Sequence, residues 1–174
     1  LLMAMAKSAL LLNDSACAEP EMIMSALNRT FCNLRKSSIT TMMTGQIISI
    51  SCAGEVSLLN AGHCPPLVVA GDSRTVTPIN SGAFPFGFSP RRKFSRLPIN
   101  MVAGDTMILY SDGILECANR HDQMLGEEGF AELAKNCYDT NCNRYLDKLF
   151  SACDNWAASQ QDDITFVMIR RREN

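Results

Sequence analysis

Three aspartates lie where buried strands are predicted to end or begin, which makes them the first candidates for chemistry. Asp112 closes the apolar strand 106–111, and Asp162 and Asp163 directly precede the apolar strand 164–169. If these strands pair antiparallel, the end of the first lies beside the start of the second. Carboxylates that converge in this way repel one another unless a cation or a proton intervenes. Because their ligands are oxygens, hard ions such as Mg²⁺ or Mn²⁺ would suit them.

The same acids also have a simpler interpretation. The Asp-Gly pair at 112–113 is a common turn dipeptide. The Asp-Asp pair at 162–163 is also a common dipeptide, and it could simply be solvent-exposed before a strand. Spacing alone leaves the turn interpretation and the metal-site interpretation both open.

The elements that would position these acids follow from the hydrophobic periodicity. A helix at 1–12 is predicted to be buried because it is apolar nearly all round, and a second helix at 19–36 has an apolar face with proline in its first turn. Strands are predicted at 46–52, 56–60, 67–70, 94–99, 106–111 and 164–169, the first two as a hairpin and 94–99 as an edge strand. Two further helices begin near Glu127 and Asn143. The order of elements predicts an α+β sandwich.

Two helical faces are specific enough to be tested residue by residue. The helix 19–36 is predicted to pack through Ile23, Leu27, Phe31 and Leu34. The helix from about Asn143 is predicted to pack through Leu146, Leu149, Phe150, Cys153 and Trp156.

Composition restricts the class of protein. The 174 residues, 47% hydrophobic and 20% charged, are typical of one globular domain, here 1–174. The net charge of −2 gives no reason to expect nucleic acid as a partner, and we interpret the basic runs 91–93 and 170–172 as solvated surface. No apolar run reaches the ~18–20 residues that span a bilayer. The eight cysteines form no C-x-x-C pair, which indicates reduced thiols in a cytoplasmic protein.

The remaining reactive residue types are weaker candidates. His63 lies in a predicted turn and favours a structural role, whereas His121 lies in a polar loop. Cys64 follows His63 directly, but neighbouring residues of an extended chain point to opposite sides, which argues against a Cys/His nucleophile pair.

Four segments together resemble the SpoIIE-like serine/threonine phosphatases, a bacterial branch of the metal-dependent PPM family. They are NAGHCPP at 60–66, FGF at 86–88, GDTMILYSDG at 104–113 and QDDIT at 161–165. The segments occur in the family's order and spacing and cover nearly the whole chain. An unrelated α+β domain would require all four matches to arise by chance.

The resemblance implies a fold, a reaction and a set of site residues. The fold would be the PPM-phosphatase-like αββα sandwich, two antiparallel sheets flanked by helices. The reaction would be hydrolysis of phosphoserine or phosphothreonine by a water activated at two Mn²⁺ or Mg²⁺ ions. Asp112 and Asp162 carry over as metal ligands, with Asp163 and Gly113 as weaker members of the site. Gly113 would leave room for close packing beside the acids.

The resemblance is incomplete at its upstream end. The family places a further acidic ligand in a G-D-x-x-G-H-G segment directly before a helix that resembles residues 2–7 here, and another acidic motif lies in its first strands. We therefore expect an N-terminally truncated domain that continues upstream and holds part of the metal shell, so that this chain by itself would bind metal weakly and be inactive even where the full-length protein is a phosphatase. The alternative function is a non-catalytic pseudophosphatase that binds a partner through the same fold.

The resemblance also implies partners. The substrate in this family is often a STAS-type anti-sigma-factor antagonist, and an attached upstream sensor domain sets the activity. Because family members often pair through helices near the start of the domain, the resemblance implies a homodimer as well.

Overall fold

The computed structural model describes residues 2–12, 19–36, 42–158 and 162–172. The helices are α1 (Leu2–Leu12), α2 (Pro20–Lys36), α3 (Gly126–Asn136) and α4 (Cys142–Trp156), with a short 3-10 helix at Asp112–Ile114. The strands are β1 (Gly45–Ile50), β2 (Val56–Ala61), β3 (Leu67–Val69), β4 (Val76–Pro78), β5 (Leu97–Ile99), β6 (Thr106–Tyr110) and β7 (Phe166–Arg170). These elements divide into two compact units, Leu1–His63 with Ser81–Asn100, and Cys64–Asn80 with Met101–Asn174.

The first unit contains an antiparallel sheet of three strands in the order β1-β2-β5. The predicted hairpin is confirmed as β1 and β2, which pair from Gly45 opposite Ala61 to Ile50 opposite Val56. The predicted edge strand is confirmed as the shorter β5. It contains Pro98, a residue that edge strands tolerate because proline cannot donate a ladder hydrogen bond.

The two helices of this unit differ in how well the sequence predicts them. The predicted apolar face of α2 is confirmed, since Leu27 and Phe31 are buried and Ile23 and Leu34 pack against the same core. The expectation that α1 is buried all round is wrong. Ala6 is buried, but Met3 is 73% exposed, because a helix beside a single layer of neighbours can bury only one face.

The second unit contains an antiparallel sheet of four strands in the order β4-β3-β6-β7. Strand β6 lies between β3 and β7 and is buried along most of its length, as its apolar sequence predicts. The expectation that the last strand is also buried is wrong, because β7 is an edge strand and Val167 is 52% exposed. The three-residue strand β4 was not predicted, since so short a segment shows no periodicity.

The core of the second unit includes α3 and α4. Phe130 and Ala134 of α3 are buried, and α4 is buried through Tyr145, Leu149 and Cys153. The prediction for α4 is therefore right at Leu149 and Cys153 and wrong at Phe150 and Trp156, which are 40% and 36% exposed. Tyr145 was not among the residues predicted to face the core, yet its ring is fully buried and its hydroxyl donates to the backbone carbonyl of Ala134.

The α+β class with two antiparallel sheets is confirmed. The seven cysteines of the described residues are all free thiols, as expected, while Cys17 lies outside those residues. Within the same part of the chain no helix is both long enough and apolar enough to cross a membrane.

Asp105 is a buried acid with a structural role. One of its carboxylate oxygens accepts from the backbone N–H of Gly71 at 3.0 Å, and the other accepts from Val102 at 2.8 Å. Gly71 in turn lies so close to Gly104 that an added Cβ would come within 2.6 Å of the Gly104 carbonyl. The carboxylate therefore fixes the turn after β3 against the start of β6.

We expect Asp105→Ala to lower the free energy of unfolding by about 3 kcal/mol, because it leaves two backbone N–H groups without their charged acceptor. Urea unfolding followed by circular dichroism measures this. The matched control is Asp147→Ala, an exposed acid on α4, which should change stability by less than about 0.5 kcal/mol. Equal losses in the two variants would contradict a specific role for Asp105.

Candidate metal centre

The pairing of β6 with β7 places the three candidate aspartates at one edge of the four-stranded sheet. The strands are antiparallel, and their last paired residues at this edge are Tyr110 and Phe166. Asp112 follows the end of β6, and Asp162 and Asp163 precede the start of β7. The expected convergence of the end of one strand with the start of the other is thus confirmed.

Ser111 closes this edge with three hydrogen bonds to the segment before β7. Its backbone N–H donates to the carbonyl of Thr165 at 3.1 Å, and its hydroxyl oxygen accepts from the Thr165 N–H at 2.9 Å. The same hydroxyl donates to the carbonyl of Asp163 at 2.9 Å. Ser111 therefore joins two acidic segments, the one that contains Asp112 and the one that contains Asp162 and Asp163. Sequence reasoning did not assign this role to Ser111.

Gly113 packs directly against the Asp162–Asp163 backbone. A Cβ built on Gly113 would lie 2.6 Å from the carbonyl oxygen of Asp163 and 3.2 Å from that of Asp162. Side-chain carbon atoms are not found so close to backbone oxygens, so only glycine allows this approach. The Gly113 carbonyl accepts a hydrogen bond from the thiol of Cys117 at 3.2 Å.

The three aspartates are exposed at this edge, where solvent and ions can reach them. Asp112 begins the short 3-10 helix, and its backbone carbonyl accepts from the N–H groups of Leu115 and Glu116 at 2.8 and 3.1 Å. One carboxylate oxygen of Asp162 accepts from the Asp163 N–H at 2.7 Å. Local backbone hydrogen bonds thus hold the two acidic segments in place.

The oxygen atoms of these acids are suitable ligands for a divalent metal ion. The acids alone are too few to complete its coordination shell. Carboxylate oxygens suit Mg²⁺ and Mn²⁺, and Mg²⁺ is often held by one or two carboxylates with water completing its shell. Within 2–12, 19–36, 42–158 and 162–172, no group of three or more His, Cys, Asp or Glu side chains is arranged to hold a metal ion. The described residues therefore place carboxylates of suitable type at this edge without forming a complete metal-binding group.

Cys64 lies near this edge but is not suited to act as a nucleophile. Burial, reinforced by the negative charge of Asp112, raises the pKa of its thiol to about 11. The thiol consequently stays protonated at neutral pH, and the thiolate is the reactive form. This agrees with the rejection of a Cys/His nucleophile pair from the sequence.

The two histidines belong to structural turns. In the first unit, the Asn60 side chain accepts from the His63 N–H and donates to the His63 carbonyl, both at 2.9 Å, and Gly62 between them has a φ of +70°. Nδ1 of the His63 ring lies 3.1 Å from the hydroxyl of Thr44. His121 is exposed, and its N–H donates to the side chain of Asn119 at 2.8 Å.

A profile of the family described as stage II sporulation protein E (SpoIIE) matches residues 1–172. Solved structures share the fold at low sequence identity. The SiaA-PP2C domain of Pseudomonas aeruginosa is 16% identical with a TM-score of 0.82, and the match covers 97% of this chain and 68% of that one. The PP2C phosphatase domain of SpoIIE from Bacillus subtilis, solved with a fragment of its regulatory domain, is 20% identical with a TM-score of 0.76, covering 99% and 50%.

A third structure contains the RsbU and RsbW domains of a Mycobacterium tuberculosis protein. It is 24% identical to this chain with a TM-score of 0.74, and the match covers 98% of this chain and 47% of that one. The chain thus spans about half the length of two of these structures. With the family profile matching almost end to end, the chain belongs to the SpoIIE family, and it shares its fold with the PP2C phosphatase domains among these structures.

Proposed function

We propose that this chain supplies Asp112 and Asp162 to the metal centre of a protein serine/threonine phosphatase. The observation that carries the proposal is the β6–β7 pairing, which brings both acids to one exposed edge within two of the family's motifs. Asp163 is a weaker third ligand, and Gly113 serves the site by its close packing. Residues 1–174 would form one domain together with any upstream segment.

Divalent metal, Mn²⁺ or Mg²⁺ as two ions in the complete site, would when bound lower the pKa of a water molecule and offset the charge of the phosphoryl oxygens. The residues of this chain would hold and orient that centre. Ser111 fixes the two acidic segments relative to each other, so their carboxylates need little rearrangement on binding. Structures of related domains are described as Mn-presoaked for SpoIIE of Bacillus subtilis and as a magnesium complex for RsbX.

The substrate would be phosphoserine or phosphothreonine on a regulatory protein. The family resemblance makes a STAS-type anti-sigma-factor antagonist the specific candidate, with a sensor domain upstream and a homodimer as the assembly. The cytoplasm would be the compartment, in keeping with seven free thiols among the described residues.

A second candidate function is a pseudophosphatase that binds a partner without turnover. The observation that favours it is that the described residues contain no group of three or more side chains arranged to hold a metal ion. The two functions differ in whether Mn²⁺ supports hydrolysis.

We expect Mn²⁺-dependent hydrolysis of p-nitrophenyl phosphate that falls at least about 100-fold in Asp112→Asn or Asp162→Asn, because each change removes a charged metal ligand. The exposed Asp147→Asn on α4 is the matched control and should retain activity. If the natural polypeptide extends upstream, the longer form is measured beside this chain. Absence of turnover in both forms, with Mn²⁺ present, would establish the pseudophosphatase instead.

A second prediction concerns Gly113. Gly113→Ala should weaken Mn²⁺ binding at least about tenfold, since the new Cβ must push the Asp162–Asp163 backbone away from Asp112. Isothermal titration calorimetry measures the affinity directly. The control is Gly129→Ala, whose Cβ would meet only the flexible end of the Leu125 side chain. Native affinity in the Gly113 variant would show that this packing does not shape the site.

A further inference from the structure

A groove of about 920 Å³ lies in the second unit, at the end of the β6–β7 pair opposite the acids. Its walls come from the turn after β3, the start of β6, the first turn of α4 and the end of β7. The lining residues that matter here are Gly71, Asp72, Gly104, Arg170, Arg171 and Arg172. Five residues of β6, at about 3.3 Å each, separate the groove from the acidic edge by roughly 17 Å.

Arg170 is anchored by hydrogen bonds from its guanidinium. Its guanidinium donates to the backbone carbonyls of Asp139, Thr140 and Gly104 at 2.9, 2.7 and 3.1 Å, and also to the hydroxyl of Tyr138. None of these four acceptors carries a formal charge, so they orient the guanidinium without neutralising it.

The carboxylate of Asp139, whose backbone carbonyl binds Arg170, is directed to other cations. The side chain of Asp139 pairs with Lys148 at 2.9 Å and with Arg144 at 3.3 Å. These contacts, after the backbone N–H of Asn141, hold the pKa of Asp139 at about 2, so its charge is committed to them.

The rest of the lining strengthens the positive potential. Arg171 and Arg172 are exposed and continue directly from β7. Of the lining residues that the structure describes, Asp72 is the one acid, against three arginines. The first turn of α4, with Cys142 and Asn143 in the lining, adds the positive end of its helix dipole.

The shape of the groove indicates what it would bind. Ala103 is small and exposed in the lining, which lets an extended backbone approach closely. Two arginines, Arg74 and Arg170, already lie over the Tyr138 ring, at 5.6 and 5.3 Å from its centroid, which leaves that ring a poor platform for a nucleobase. The groove is also much larger than a single phosphate needs.

We propose that this groove docks an extended acidic segment of a protein partner. The chain carries a net charge of −2, so an acidic peptide gains nothing from the protein as a whole and must be captured by a local basic surface. The proposal deepens the proposed function by giving its protein substrate a docking surface, and it rests on that function only for the partner's identity.

The test is fluorescence anisotropy of a labelled oligoglutamate peptide, with an oligoglutamine peptide of equal length as the uncharged probe. The double variant Arg171→Glu/Arg172→Glu should lose affinity for oligoglutamate at least about tenfold. Arg91→Glu/Lys93→Glu makes the same change in net charge on exposed residues of the first unit and should retain affinity within about twofold. Arg170 is left intact because its hydrogen bonds are structural.

Three results would overturn the proposal: no binding of oligoglutamate to the native chain, equal binding of both peptides, or equal loss in the two double variants. Saturable binding of ATP that depends on the same arginines, without peptide binding, would also overturn it in favour of a small anion. The phosphatase proposal is judged separately. Asp112→Asn should leave peptide binding unchanged, and Arg171→Glu/Arg172→Glu should leave hydrolysis of p-nitrophenyl phosphate unchanged.

Discussion

The antiparallel pairing of β6 with β7 is the constraint on which the candidate site depends. Residues of the two strands are separated by more than fifty positions in the chain, yet Tyr110 and Phe166 are direct partners. Ser111 extends that pairing beyond the strands, because its backbone and its hydroxyl both bind the segment before β7. Carboxylates brought together would otherwise separate by repulsion, so a fixed backbone is what keeps them at one edge before any cation binds. The glycine at 113 belongs to the same constraint, since a side chain there would force the two segments apart.

The parts of this structure that the sequence predicts are those with a repeating pattern. The face of α2 through Leu27 and Phe31 follows from helical spacing, and the burial of β6 follows from its unbroken apolar run. An apolar run alone does not tell which strand ends a sheet. Pro98 marked β5 as an edge strand, but β7 has no such residue and was expected to be buried, although nothing in the described residues pairs with its outer side. They also rank residues by hydrophobicity alone, which favours Phe150 over Tyr145. The structure reverses the two because the Tyr145 hydroxyl finds a backbone acceptor inside the core.

At the candidate site, residue type predicts which acids are candidates, and tertiary contacts decide which of them has a structural role. Asp105 and Asp112 lie at opposite ends of β6, in one motif, and sequence gives no physical reason to separate them. Asp105 is buried, and both of its carboxylate oxygens accept hydrogen bonds from backbone N–H groups. Its carboxylate therefore stabilises the fold and is not available to a ligand. Asp112 is exposed at the edge of the four-stranded sheet where β6 ends. The structural role of Asp105 could be identified only from its hydrogen bond with the Gly71 N–H, a contact between distant parts of the chain. Placement at strand ends makes Asp112 and Asp162 candidates for metal binding, but only the family resemblance favours that interpretation over a simple turn.

The two ends of the β6–β7 pair carry opposite charge, which the net charge of −2 conceals. Aspartates gather where β7 begins, and arginines gather where it ends. Under the proposed function, bare carboxylates would repel a phosphorylated substrate until metal is present, and a separate basic surface would hold that substrate without depending on the metal. The strands between the two ends are hydrogen-bonded along their whole length, and their spacing of roughly 17 Å is therefore fixed. A partner that used both ends would need its acidic segment at least about five extended residues from the phosphorylated one, and more if its chain follows the curved surface. Substrate selection at such a distance would act on the protein partner and leave a small phosphoester unaffected, because a small phosphoester is too short to reach the groove.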